Sequence, residues 1–172
     1  MLFRSTPREF LEFIASVRRL PAAEANSRVE QMVKAFRLES HFDSPIATLS
    51  LGTKQKVAVM AALLHDPPLL ILDEPLNGLD ARTSRILKEL VSLHARKGGA
   101  AIFCTHIMEV AERLCTRVGI VNHGRMVGEG TIDELRALVH ADESLENIFL
   151  KVTAEEAGID ETIRALEGEG NG

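Results

Sequence analysis

The sequence predicts an α/β fold, a parallel sheet flanked by helices plus an α-helical subdomain. Three observations predict it. Leu69–Leu72 and Ala100–Cys104 are short apolar runs of strand length, each closed by polar residues, the pattern of strands covered on both faces in a parallel sheet. Helical periodicity occupies the chain between and after them. Residues 1–66 read as three helices and a connector, and the expected divisions are 1–66 (helical, ending in the third helix), 67–130 (core) and 131–172 (carboxyl-terminal helices and an acidic tail).

In chain order, Thr6-Pro7-Arg8-Glu9 opens a helix as a capping box with proline at its first position. Phe10, Phe13, Ile14, Val17 and Leu20 recur at helical spacing and are expected inward. Pro21 resets the chain, and a second helix with Val29, Met32, Val33 and Phe36 runs to about Leu38. A connector from His41 to Thr48 leads to a third helix, whose Val57, Met60, Leu63 and Leu64 share a face. Pro67-Pro68 introduces the first strand. The next helix runs from Ala81 to Lys97 with Ile86, Leu90 and Leu93 expected inward and Val91 a further candidate, and Gly98-Gly99 stops it before the second strand. A short helix over Met108–Leu114 follows. Val118–Val121 and Arg125–Val127 flank His123-Gly124, a hairpin signal. Thr131-Ile132-Asp133-Glu134 repeats the capping box and starts a helix to about Val139; Ser144–Leu150 forms one more. Beyond Ala154 the acidic, glycine-rich end reads as frayed.

The residues with chemistry to offer cluster around the first strand. A parallel sheet presents ligands beyond the carboxyl ends of its strands, where Asp73 and Glu74 emerge. A lone acidic pair is more often a turn cap, but this pair has company. Ahead of it the third helix begins Ser50-Leu51-Gly52, offering free backbone N–H groups, a hydroxyl and a position without a side chain, which suits an anion. Behind it Asp80 is placed to cap the next helix. His106 follows the second strand, where an imidazole can donate to a phosphate.

Together these stretches resemble the nucleotide-binding domains of ATP-binding cassette (ABC) ATPases, a family of P-loop NTPases. Leu49–Lys56 is similar to the family's signature motif, Leu69–Glu74 to its Walker B strand and catalytic glutamate, Leu76–Asp80 to its D-loop and His106 to its switch histidine, all in the family's order. Leu51 stands where the signature usually has its first glycine, and Thr53 where it has glutamine. The helical amino end and the residues after Val118 are most similar to export-type members. The resemblance implies ATP and Mg²⁺ as cofactors, with Asp73 organising the metal, Glu74 as general base and His106 steadying the γ-phosphate. Ser50, Gly52 and Asp80 would act across a head-to-tail interface with a second nucleotide-binding domain. It also implies an integral membrane permease as partner and a cytoplasmic location, peripheral at the inner face of the membrane through that permease.

No lysine of the sequence completes G-x-x-x-x-G-K-[ST], the phosphate loop (Walker A). In the family that loop and the Q-loop precede the region that Met1 resembles. The expectation is therefore a carboxyl-terminal, partial P-loop NTPase domain that does not hydrolyse ATP autonomously. A second reading is a non-catalytic module lending its signature to a complete partner. An ABC-type DNA-maintenance ATPase ranks last, because it would bring long heptad segments or zinc-binding cysteines.

Composition agrees with that ranking. At 172 residues and 45% hydrophobic content, one domain with a sizeable core is expected. A net charge of −5, with no Trp or Tyr for base stacking, gives no footprint for nucleic acid. Cys104 and Cys115 are the only cysteines, fitting a reducing compartment. Cys104 beside His106 falls short of the four ligands a structural zinc site takes. The amino end carries Arg4, Arg8 and Glu9 in place of a signal peptide's apolar core, and the longest apolar run, Val57–Leu64, is too short to span a bilayer. Any membrane association is expected through a partner.

Overall fold

Thr6 opens the first helix, α1 (Pro7–Val17), as expected: its hydroxyl accepts from the Glu9 N–H at 3.2 Å while the Glu9 carboxylate accepts from the Thr6 N–H at 2.9 Å. The computed structural model describes residues 5–138 and 144–153. Within them the chain divides into two units, one up to Cys104 and one from Thr105.

In the first unit, α1 packs on α2 (Ala22–Phe36) and α3 (Leu51–Leu63), and α2 reaches α4 (Ala81–Arg96). Two 3₁₀ turns, Glu39–His41 and Ile46–Thr48, carry the connector between α2 and α3. Leu11, Phe36, Leu38, Met60 and Leu64 are almost fully buried and form the centre of this packing. The face of α1 differs from the expected one. Pro7, Leu11 and Ala15 point inward, whereas Phe13 and Val17 are 61% and 59% exposed. Two apolar stripes lie on this helix, and the one with the smaller residues is the one that fits against α2 and α3.

β1 (Leu69–Asp73) and β2 (Ala100–Cys104) pair in parallel, in the register Leu69↔Ala100 to Asp73↔Cys104. The two carboxyl ends therefore lie level. Leu70 and Leu72 are buried, but Ile71 and Ile102 on the opposite face are 66% and 51% exposed. The strand reading holds, while the expectation of cover on both faces does not. α4 is likewise turned relative to the main expectation: the further candidate Val91 is buried together with Thr83, Leu87 and His94, while Leu93 is exposed. At its end Gly98 takes a φ of +94°, and the ring of buried His94 lies where a Cβ on Gly99 would stand.

The second unit contains α5 (Met108–Leu114), the antiparallel pair β3 (Val118–Asn122) and β4 (Arg125–Gly130), α6 (Ile132–Leu138) and α7 (Leu145–Thr153). His123 and Gly124 both have positive φ, the two-residue hairpin turn that the sequence signals. Ala111, Ile120, Leu135, Leu145 and Ile148 make its core. The Thr131–Glu134 capping box forms as predicted, and Arg136 ties α6 to Glu112 of α5 at 2.9 Å. Val139 and the acidic tail beyond Ala154 lie outside the described residues. No helix among the described residues is long and apolar enough to cross a membrane.

Candidate functional site

Ser50 is the N-cap of α3. Its Oγ accepts from the Thr53 N–H at 3.2 Å and shares a hydrogen bond of 2.8 Å with the Thr53 hydroxyl. The amino end of α3 is open to solvent, with Leu51 72% exposed. Unsatisfied first-turn N–H groups and the positive end of the helix dipole make that end suited to an anion. Thr53 thus contributes a hydroxyl to the cap of the helix whose amino end would receive the anion.

Gly52 sits one residue into the helix and touches the segment after β1 directly. A Cβ at Gly52 would fall on the Gly78 carbonyl oxygen, and Gly78 itself has a φ of +74°. The atom in the way is backbone, not the end of a side chain, and the approach joins the start of α3 to the loop that ends at Asp80.

Asp80 caps α4, as expected. Its carboxylate accepts from the Thr83 N–H and the Thr83 hydroxyl, each at 2.8 Å, and stands 3.2 Å from Lys56 Nζ. Those bonds, Thr83's foremost and Lys56's after them, hold the Asp80 carboxyl well below the usual aspartate range. A depressed folded-state pKa means that the folded chain binds fewer protons than the unfolded one around the ordinary aspartate pKa. The stabilisation is present above that pKa, about 4, and is lost as pH falls through the lower folded value. We expect the urea midpoint of the first unit to fall between pH 6 and pH 3, and to fall less in Asp80→Asn; equal falls would remove Asp80 from the acid response.

Asp73 ends β1 and is exposed. Glu74 follows with φ +44°, a left-handed backbone uncommon for glutamate, held by donation of its N–H to the Cys104 carbonyl at 3.0 Å and by the Asn77 N–H on its own carbonyl at 3.2 Å. The two carboxylates thus stand at the carboxyl end of the strand pair. Among the described residues no group of three or more His, Cys, Asp or Glu side chains could enclose a metal. The donor set fits Mg²⁺, which is held by one or two carboxylates with phosphate and water completing its shell.

Ser50, Gly52 and Asp80 are brought to one region of the first unit through the Gly52 and Gly78 backbones. His106 belongs to the second unit, exposed in the turn ahead of α5, where the Ile107 N–H donates to the Thr105 hydroxyl at 3.1 Å. The sequence pattern gives no individual role to Lys56, Gly78 or Thr83. Only the i+3 spacing of Thr83 from its cap was a local signal; the Lys56 contacts are remote in sequence.

Comparison with known proteins bears on the same stretches. A family model described as "AAA domain, putative AbiEii toxin, Type IV TA system" matches residues 11–112. The chain is 38% identical over 152 residues to the ABC-type transporter ATP-binding protein EcsA of Bacillus subtilis, spanning 87% of this chain and 61% of EcsA. It is 37% identical over 116 residues to the Nod factor export ATP-binding protein I of Cupriavidus metallidurans, spanning 67% of this chain and 38% of that one. A solved structure described as "Structure of ATP binding subunit of ABC transporter" superposes with a TM-score of 0.81 at 35% identity, over 86% of this chain and 62% of that one. The fold is thus that of a P-loop NTPase of the ABC ATPase type. The chain belongs to the ABC transporter ATP-binding family, and it spans less than two thirds of each of these relatives.

Proposed function

We propose that the chain supplies the signature, Walker B and D-loop part of an ATP site in the ATP-binding subunit of an ABC transporter, of export type. The observation that carries this reading is the contact between Gly52 and the Gly78 carbonyl. It sets the open amino end of α3, with Ser50 at its cap, beside the loop ending in Asp80, a surface able to meet the outer phosphates of a nucleotide held by a second nucleotide-binding domain. On its own phosphate side, Asp73 would hold Mg²⁺ and Glu74 would take a proton from the attacking water. For His106, in the second unit, the family resemblance supports the separate role of a donor to a γ-phosphate. Bound Mg-ATP supplies the phosphoryl group and most of the metal's ligands; the chain's residues position and neutralise.

The helical segment is the proposed meeting place with a membrane permease, which would hold the chain at the inner face of the membrane. α1 leaves Phe13 and Val17 exposed, and a cleft of about 800 Å³ lined by Leu11, Ala15, Ala25, Val29, Val33 and Phe42 runs between α1 and α2. Export is supported by the resemblance of the two ends of the chain to export-type members and by the relative named for Nod factor export.

Sedimentation of the chain with a complete ATP-binding subunit of the family, with and without Mg-ATP, tests the proposal. Association is expected only with nucleotide, and Ser50→Ala is expected to weaken it about tenfold, the effect of losing one hydrogen bond to a charged phosphate. Association that ignores both nucleotide and Ser50 would refute it.

A further inference from the structure

Two cations from different helices converge on the carbonyl end of α2. Lys56, one turn beyond Gly52 in α3, donates Nζ to the Phe36 carbonyl at 3.2 Å and lies the same distance from Asp80 Oδ2. Arg82, two residues past Asp80 in α4, donates Nη1 to the Ala35 carbonyl at 2.8 Å. A helix ends with carbonyls that lack internal partners and with the negative pole of its dipole. In α2 the backbone supplies part of the answer: Arg37, in the left-handed conformation, donates its N–H to the Lys34 carbonyl, and the Leu38 N–H reaches the Val33 carbonyl. The next two carbonyls, of Ala35 and Phe36, are the ones that Arg82 and Lys56 take. Lys56 is the shared member. Its side chain is only 16% exposed, so its stem is packed while the ammonium reaches these acceptors.

We propose that Lys56 is a positioning residue that fastens the D-loop carboxylate and the signature helix to the end of α2. The surface bearing Ser50, Gly52 and Asp80 then moves with the helical segment as one piece. The functional meaning rests on the role proposed above for that surface; the fastening itself does not. Removing the ammonium frees the Asp80 carboxylate on one side and leaves the Phe36 carbonyl without this donor on the other. Arg82 keeps its own bond to Ala35, so α2 and α4 stay joined while the α3 link is cut. The lesion should therefore be local.

Amide hydrogen exchange of the purified chain tests this. Lys56→Met keeps the apolar stem and removes the charge. It is expected to speed exchange about tenfold over residues 76–84, the effect of losing one charge-assisted hydrogen bond, with Ala100–Cys104 unchanged. Lys56→Arg is expected to restore the slow exchange. In an Asp80→Asn background the same Lys56→Met change should add less than about twofold, because the shared partner is already altered. No response at residues 76–84, or an equal response in β2 showing general loosening, would overturn the proposal. In the nucleotide-dependent sedimentation described above, Lys56→Met should weaken association and Lys56→Arg should preserve it. If exchange responds as expected but the unsubstituted chain never associates, the positioning role stands and the reading of the surface as half of an ATP site falls.

Discussion

Glu74→Gln lowers the single-turnover rate of ATP hydrolysis about 10²- to 10⁴-fold at a site completed by a phosphate loop, with Mg-ATP affinity nearly unchanged. That is the expected result if Glu74 acts as the general base. The amide keeps the size of the side chain and loses the ability to take a proton from water. Nucleotide affinity is set by contacts to the phosphates and the metal, which this substitution leaves in place, so rate and binding should separate. The backbone gives a reason to expect a well-placed side chain: φ of +44° with both the N–H and the carbonyl of Glu74 bonded leaves little freedom in where Cβ starts. Rapid-quench measurement of one turnover, beside equilibrium binding of Mg-ATP, checks it. A rate within a few fold of the parent would exclude Glu74 as the base.

Phe36→Ala is expected to cost about 3–5 kcal/mol, the largest loss of stability from any single truncation in the first unit. The ring is fully buried where α2 ends, beside equally buried Leu38. Deleting it removes the transfer free energy of an aromatic side chain and leaves a cavity that helices tied together at this point cannot easily close. The same residue lends its carbonyl to Lys56, so collapse around the cavity would also move the Lys56 ammonium. Urea unfolding followed by far-ultraviolet circular dichroism measures the cost. A loss below about 1 kcal/mol would mean that the site repacks, contrary to expectation.

Much of this fold was legible in the sequence because the signals are local. The Thr6 and Thr131 capping boxes, the runs that become β1 and β2, and the His123-Gly124 turn each depend on a few neighbouring residues, and each appears where it was expected. Burial faces were harder. α1 has two apolar stripes, and only the helices it meets decide that Leu11 and Ala15 go inward while Phe13 stays out. α4 was misjudged for the same reason: its inward face includes Thr83 and His94, which periodicity of apolar residues does not count. In β1 an unbroken apolar run suggested two covered faces, and Ile71 has one of them in the open.

The candidate site divides along the same line. The cap at Asp80 was anticipated from the sequence, whereas Ser50, read there as a hydroxyl for an anion, proves also to cap α3 through Thr53. The contacts of Lys56 join residues 20 and 24 positions apart, and that of Gly52 crosses to Gly78. No periodicity reports such meetings, since they exist only once three elements have packed.

At Gly52 and Gly78 the two segments touch main chain to main chain, with the Leu51 side chain alongside. Side chains at an ordinary contact act as springs, changing rotamer to absorb a small shift on one side before the other side feels it. Between Gly52 and the Gly78 carbonyl there is none, so a shift of the D-loop toward α3 meets backbone that has no rotamer to give. The pair behaves as a stiff bearing: on the reading proposed for the head of α3, an anion held there would press on the loop that carries Asp80.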